Sequence, residues 1–502
     1  AKVEPELPMS VPRWQPHDFV FKSETAHENS FYVPFAAEVS GPKGKSFTTH
    51  GFFNGDDSWV IRLAPDEVGE WSLSTQSTDP LLDGNSTAFL CVANTNADSH
   101  GPVGIDKDHP RHFVHADGTR FFHLGYECDW LWALDLGTDT MDTTNRFLDL
   151  IKSNGFNVVL LNIYAHDTSW RLGKTADNDF GPPATYPWAG TNAEPNHDRL
   201  NLRFWNHYDK VIAAMNERGI QAHIMVKVYN KKVKWPKRGS DREDLFLRTV
   251  VARYAAYPNV QWDLSKEAYN EKDPEYKLAF IQKLKSYDPY DRLVTSHDDD
   301  IYDEGRYDGI LDYRSDQQHD RWHEIAIEQR AKREWPIVNV EYGYEWGMGG
   351  ENEKTYAVAQ SPEENARRAW LISLAGAYTA YYYTFTAWDV VRPADVPAGY
   401  AQQKLLRDFF EETEYWKLQP NDSLVSAGHC LANEGKEYIV YLHNSDAQKL
   451  TVAGAAGEMV TSWLNPFTGE RRDASPIQNG VLDIVPPADW KGTPAVLWVR
   501  EK

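Results

Sequence analysis

Two glutamates each follow directly on a short apolar run. Val260-Gln261-Trp262-Asp263-Leu264 leads into Ser265-Lys266-Glu267, and Ile337-Val338-Asn339-Val340 leads into Glu341-Tyr342-Gly343. If both runs are strands of one parallel barrel, both carboxyl groups emerge at the C-terminal rim, where barrel enzymes place their reacting groups. Paired carboxyls suit glycoside cleavage. One protonates the leaving oxygen while the other attacks or activates water; a separation of about 5–5.5 Å retains the anomeric configuration and about 6.5–9.5 Å inverts it. A lone glutamate at a strand end more commonly makes a structural ion pair, but two on facing strands point to catalysis. Glu267 is expected to be the acid/base, kept protonated by apolar surroundings and a neighbouring charge. Glu341 is expected to be the nucleophile and to stay ionised.

Other residues just past strand-like runs are candidates for holding a substrate. Tyr126, Glu127, Asp129 and Trp130 follow a first run, and Tyr126 and Trp130 are expected to bind a terminal sugar. Asn162, after Val158-Val159-Leu160-Leu161, is expected to contact a hydroxyl. His223 lies inside a run and reads as a core histidine. His297 precedes Asp298-Asp299-Asp300, where a solvated acidic loop outweighs a cation site; His297 is expected to touch substrate, with no metal and no cofactor required. Trp170, Trp188, Trp235 and Trp346 are candidate stacking platforms. The stretch Lys227–Arg238 carries Lys227, Lys231, Lys232, Lys234, Lys237 and Arg238 without an acid. Such clusters bind sulfate, phosphate or carboxylate groups, so the substrate is expected to be an anionic sugar, with Lys227 among its contacts. A solvated loop paired to an acidic surface is the plainer account of the same run.

The elements that would position these residues can be read from periodicity. Residues 1–105 alternate in short runs such as Trp59-Val60-Ile61-Arg62-Leu63, broken by turns such as Asn54-Gly55-Asp56-Asp57, and predict a β-sandwich. Residues 106–418 alternate strand and helix patterns, which predicts a (β/α)8 barrel. The eight expected strands lie at 121–124, 158–161, 222–226, 260–264, 293–295, 309–312, 337–340 and 381–385. Helices are expected near 144–153, 203–217 and 362–375, the last with Ser361 as N-cap and Pro362 in first position. Residues 419–502 return to short strands and predict a second β-sandwich. No glycine-rich phosphate loop follows any strand, which counts against a nucleotide-binding sheet.

Composition narrows the partners. A net charge of −22 repels phosphate backbones, so a nucleic-acid partner is not expected. No apolar run approaches the roughly 20 residues of a membrane helix, so no membrane partner is expected either. Three distant cysteines exclude a disulfide framework. A carbohydrate is the expected partner, with the chain periplasmic or secreted after loss of a leader; oligomeric state stays open.

Trp262-Asp263-Leu264-Ser265-Lys266-Glu267 and Ile337-Val338-Asn339-Val340-Glu341-Tyr342-Gly343 resemble the strand-four and strand-seven motifs of the clan A retaining glycoside hydrolases. Gly51-Phe52-Phe53-Asn54-Gly55 with Trp59, Arg62 and Gly69-Glu70-Trp71 resembles a β-sandwich family that precedes such barrels in bacterial glycosidases. Trp463-Leu464-Asn465-Pro466-Phe467-Thr468-Gly469 resembles the small β domain that closes them. The resemblance implies that Trp388 floors the sugar subsite and that Tyr313 hydrogen-bonds the nucleophile. Lys266 departs from the family pattern, which has an asparagine before the acid/base. Lysine donates but cannot accept a hydrogen bond, so either the sugar is unusual there or Lys266 pairs elsewhere. Rival readings are a non-catalytic sugar-binding barrel, a metal hydrolase using His297 and His319, and a polysaccharide lyase. The loops after strands two and three favour exo action.

Overall fold

The computed structural model describes residues 9–166, 183, 185–354, 358–386 and 391–502. Its centre is a parallel sheet curled into a barrel. The eight strands are Leu124–Glu127, Val158–Asn162, Gln221–Val228, Val260–Lys266, Val294–Thr295, Arg314–Asp316, Ile337–Asn339 and Tyr378–Tyr383, called here barrel strands one to eight. The order of neighbours is five, four, three, two, one, eight, seven, six. A single parallel bridge, His297 to Ser315, links strands five and six and completes the ring.

Among the described residues seven α-helices lie between or after these strands, at every step but that from five to six: α1 (Asp142–Ser153), α2 (Leu202–Glu217), α3 (Asp241–Tyr254), α4 (Pro274–Tyr287), α5 (Trp322–Lys332), α6 (Pro362–Leu374) and α7 (Gly399–Glu412). Four of the starts are set by side-chain caps. Asn201, Ser240, Asp273 and Ser361 each accept from an N–H in the first turn of α2, α3, α4 and α6, satisfying donors that no carbonyl can reach. Pro274 and Pro362 stand at the first turn, where the missing N–H costs nothing. Every residue of strands three and four is buried, as expected for a parallel sheet covered by helices.

Strand six lies at Arg314–Asp316, not at 309–312. The apolar pair Ile310-Leu311 sits in a turn that buries Leu311 against the barrel, so its hydrophobicity marks packing rather than extended backbone. Strand one starts at Leu124, because Arg120–Phe121 belongs to a separate three-stranded sheet with Val103–Ile105 and Phe113–His115. That sheet brings Phe113 against Tyr313 and Tyr378 at the N-terminal end of the barrel strands.

Two β units flank the barrel. The N-terminal one pairs a five-stranded sheet with a three-stranded sheet around a core that includes Val39, Trp59, Ile61 and Trp71. Phe52–Phe53 and Ser58–Leu63 form the hairpin that Asn54-Gly55-Asp56-Asp57 announces, with Gly55, Asp56 and Asp57 all at positive φ. In the C-terminal unit, Glu437–Leu442, Ala495–Arg500 and Met459–Leu464 are neighbours in a six-stranded sheet, covered by a two-stranded one.

Candidate active site

The rim of the barrel gathers polar groups that the strand ends deliver. Strand four ends on Lys266, and Glu267 turns out of it at φ 49° into a short 3-10 turn, Ala268–Asn270. A left-handed backbone at a glutamate costs about 1–2 kcal/mol and is an observed strain of the kind that functional sites carry. The turn is pinned by Ala268 N–H donating to His297 O at 2.7 Å. Asp263 sets the height of the next strand end: one oxygen accepts from the N–H of Ser265 and of His297, both at 3.0 Å, and the other faces His223 Nε2 at 2.6 Å. His223 is therefore committed inside the barrel.

Lys266 points into the rim. Its ammonium donates to Glu127 Oε1 and to Tyr382 OH, lies 3.2 Å from Asp129 Oδ2 and 3.8 Å from Glu341 Oε2, and all these groups are buried. Burial alone would discharge the lysine, but Asp129, Glu127 and Glu341 hold its pKa well above the ordinary value. Lys266 thus takes its partners from strands one and eight and from the end of strand seven.

Glu341 stands at the end of strand seven, 5% exposed, while Glu267 is half-buried nearer the mouth. Oε1 of Glu341 accepts from Tyr344 OH. Among the described residues Oε2 accepts no hydrogen bond; it faces Lys266 and, at 3.9 Å, His297 Nε2. Burial pushes the Glu341 carboxyl up to about 8; Lys266 and Lys231 oppose this, and the charges of Glu267 and Asp129 add to it. Burial thus works against the ionised form expected of this carboxyl, and Lys266 works for it. Glu127, wholly buried, is pushed up too, against the pull of Lys266. His297 is driven well below its ordinary pKa by burial and then by Lys266, so it is neutral. It donates from Nε2 to Gln317 Oε1 at 2.9 Å, and Gln317 Nε2 donates to Tyr269 OH at 3.3 Å.

The structure therefore brings Glu267, Lys266, His297 and Glu341 together. It places several other expected contacts elsewhere. Tyr126 faces outward between barrel and helices, wholly buried against Phe147 and Phe156, with its hydroxyl on Thr386 and Tyr400. The strand's alternation sends its odd neighbours to the rim instead. Trp130 is also wholly buried, its indole N–H satisfied by Ala165 O at 2.9 Å, so no ring face is offered to a sugar. Lys227 points out of strand three into a buried pair with Glu243 at 2.9 Å, shared with Tyr276. Tyr313 lies below strand six and donates to Gln261 Oε1 at 2.9 Å, too deep to meet Glu341; Tyr344 takes that place. Asn162 stands at its strand end with Oδ1 held by Trp132 at 2.9 Å, while Nδ2 makes no hydrogen bond. Trp188 and Trp235 pack on each other and on Phe246 of α3. Trp388 and Trp170 lie outside the described residues.

Most of the basic run is committed as well. Arg238 pairs with Glu271 and Asp273, and Lys234 donates to Ala193 O. Lys231 is the member whose charge reaches Glu341. Among the described residues, no group around His297 or His319 is gathered closely enough to hold a metal ion.

Sequence reasoning missed Tyr344, Tyr382 and Gln317. Tyr382 could have been found: in Tyr378–Tyr383 alternate residues face opposite ways, and Tyr381 goes outward to Glu345 while Tyr382 goes inward to Lys266. Tyr344 could not, because it lies beyond the strand in an extension that pairs with strand eight only in the fold.

A closed parallel barrel flanked by β units, with acidic groups gathered at its rim, is an architecture compatible with glycoside hydrolysis. Residues 107–444 match the family model described as apiosidase-like, catalytic domain, and the chain belongs to that family. Residues 10–78 match a domain of unknown function, DUF5060. A glycoside hydrolase candidate from Bacteroides vulgatus superposes with a TM-score of 0.80 at 20% identity, covering 98% of this chain and 100% of that one. A family 5 glycoside hydrolase from the same organism gives 0.59 at 16% identity, covering 80% and 94%. At these identities the likeness is one of fold. No curated protein matches the chain.

Proposed function

We propose that the chain is a retaining glycosidase working by double displacement, with Glu341 as nucleophile and Glu267 as acid/base. The observation that carries this is the asymmetry of Glu341: one oxygen is held by Tyr344, while the other is buried, accepts no hydrogen bond and faces Lys266. That oxygen attacks the anomeric carbon as the glycosidic C–O bond breaks, and Glu267 gives its proton to the leaving oxygen. Glu267 then takes a proton from water, the water oxygen attacks the same carbon, and the ester bond to Glu341 breaks. Lys266 works against the cost of burial and favours the anionic form that attacks. His297, neutral and already donating from Nε2 to Gln317, has Nδ1 left to accept from a sugar hydroxyl, and Asn162 offers Nδ2 from the neighbouring rim; both are substrate contacts in this proposal.

The family's name points to apiosides as substrates. Lys231, whose charge reaches the rim, supports an anionic group on the part of the substrate that leaves. The burial of Glu341 beneath a half-exposed Glu267 suits a chain end entering a pit, hence exo action. The same proposal divides the chain into three parts at 105 and 418 and places it in the periplasm or outside the cell; no helix of the described residues is long and apolar enough to cross a membrane.

The test is release of reducing sugar from neutral and anionic oligosaccharides, apiosides included, by wild type, Glu267→Gln and Glu341→Gln. Both variants are expected to lose at least about 1,000-fold in kcat, and azide is expected to rescue an alanine at one position with a glycosyl azide of defined anomeric configuration. An active wild type that loses less than tenfold in either variant overturns the assignment. An unsaturated, ultraviolet-absorbing product would instead indicate elimination.

A further inference from the structure

Between α5 and the C-terminal unit, three residues from two parts of the chain converge. His323 lies in the first turn of α5, Asp422 opens the 3-10 turn Asp422–Leu424, and His429 begins the strand His429–Asn433 of the C-terminal unit. One potential ligand atom from each lies within 4.8 Å of the other two. His323 Nε2 is 3.2 Å and His429 Nδ1 is 2.8 Å from the same carboxylate oxygen, Asp422 Oδ2. The two imidazole rings lie 3.6 Å apart at 32°.

The hydrogen bonds around this group are those of a ligand set. His323 Nδ1 must donate to Leu371 O at 3.0 Å, since a carbonyl can only accept. That fixes the tautomer and turns the Nε2 lone pair toward Asp422. His323 is 4% exposed, and its Nε2 is buried without a hydrogen-bond partner. A buried lone pair facing a carboxylate oxygen is repulsive unless a metal ion or a proton lies between them. The other oxygen of Asp422 accepts from Cys430 N–H at 2.9 Å, which orients the carboxylate. A histidine whose second nitrogen donates to a backbone carbonyl, beside a carboxylate that is itself hydrogen-bonded, is the outer arrangement that metal ligands use. Tetrahedral zinc with bonds of about 2.0–2.1 Å separates its ligand atoms by roughly 3.3 Å, close to the distances seen.

We propose that His323, Asp422 and His429 bind one divalent transition-metal ion, with zinc the best match to two imidazoles and one carboxylate. The fourth position falls to water or to exposed His443, whose ring is 5.2 Å from that of His429. The ion joins α5 of the barrel to the C-terminal unit, and its role is structural. It is separate from the glycosidase chemistry and does not rest on it.

The full-length, tag-free chain, stripped with EDTA, should bind one equivalent of zinc by calorimetry, gain thermal stability, and give with cobalt(II) the intense visible bands of a tetrahedral site. His429→Gln, at the more exposed position, should weaken binding by roughly 100-fold or more, and His323→Gln should do the same. Glycoside hydrolysis by the metal-free chain at 25 °C should equal that of the zinc-loaded chain. No binding by wild type, or equal binding by wild type and both variants, overturns the site; in the first case the cluster is a clamp of a protonated histidine pair on Asp422.

Discussion

At Glu341 one carboxylate oxygen takes the Tyr344 hydroxyl and the other faces a lysine that already serves Glu127 and Asp129. One ammonium among three carboxyls cannot keep all of them ionised, and burial raises the cost for each. Glu341 is accordingly pushed from its ordinary 4.5 up to about 8. The folded chain holds this proton more tightly than the unfolded chain, so the favourable contribution is full below about pH 4.5 and is lost as pH rises through about 8. Glutamine cannot ionise and escapes that loss. Glu341→Gln is therefore expected to be more stable than wild type at pH 9, on the order of 1–3 kcal/mol, with the advantage fading toward pH 5. Denaturant melts at the two pH values measure it; an advantage that does not change with pH would mean that Glu341 titrates like an exposed carboxyl.

Strand four and its exit decide where Glu267 stands. Asp263 ties the strand to His297, and the exit turns at Glu267 with φ 49°. Glycine adopts that conformation without the Cβ penalty, and among the described residues the Glu267 side chain meets Asn270, at 3.3 Å, and Tyr269. Glu267→Gly is expected to raise stability by about 1 kcal/mol while abolishing turnover. A loss of stability would show that the glutamate side chain, not the turn, holds the strand exit. The same scale explains what could be read in advance. Val260–Lys266 and Ile337–Asn339 are legible because apolar runs end on polar residues. Arg314–Asp316 is not, because Arg314 and Asp316 are buried as an ion pair and Ser315 by its hydrogen bond with Thr295, a polar run that hydropathy reads as loop.

Across the whole molecule, the N-terminal unit is locked to the barrel by a buried charge network. Arg62 pairs with Asp18 and Asp209 and donates to Arg253 O; Arg253 pairs with Asp209 at 2.8 Å and donates to Asn54 Oδ1. Burial alone would raise the Asp209 carboxyl, but Arg253 and Arg62 hold it below its ordinary value. Removing it strands two buried guanidinium groups. Asp209→Ala is expected to cost about 3–5 kcal/mol and to loosen residues 9–105 from the barrel, seen as faster proteolysis after that segment. Unchanged proteolysis with lost stability would place the damage inside the barrel alone.

The sequence by itself determined the barrel, its flanking β units and the two glutamates at strand ends, because strand periodicity, capping residues and polar strand exits are local patterns. It could not assign directions. Whether Lys227 or Lys266 faces the rim, whether Tyr313 or Tyr344 reaches Glu341, and how His323 meets His429 depend on which way each strand rotates and what packs behind it. Those choices are made between residues far apart in the chain, where burial and charge pairing are settled only once the barrel has closed.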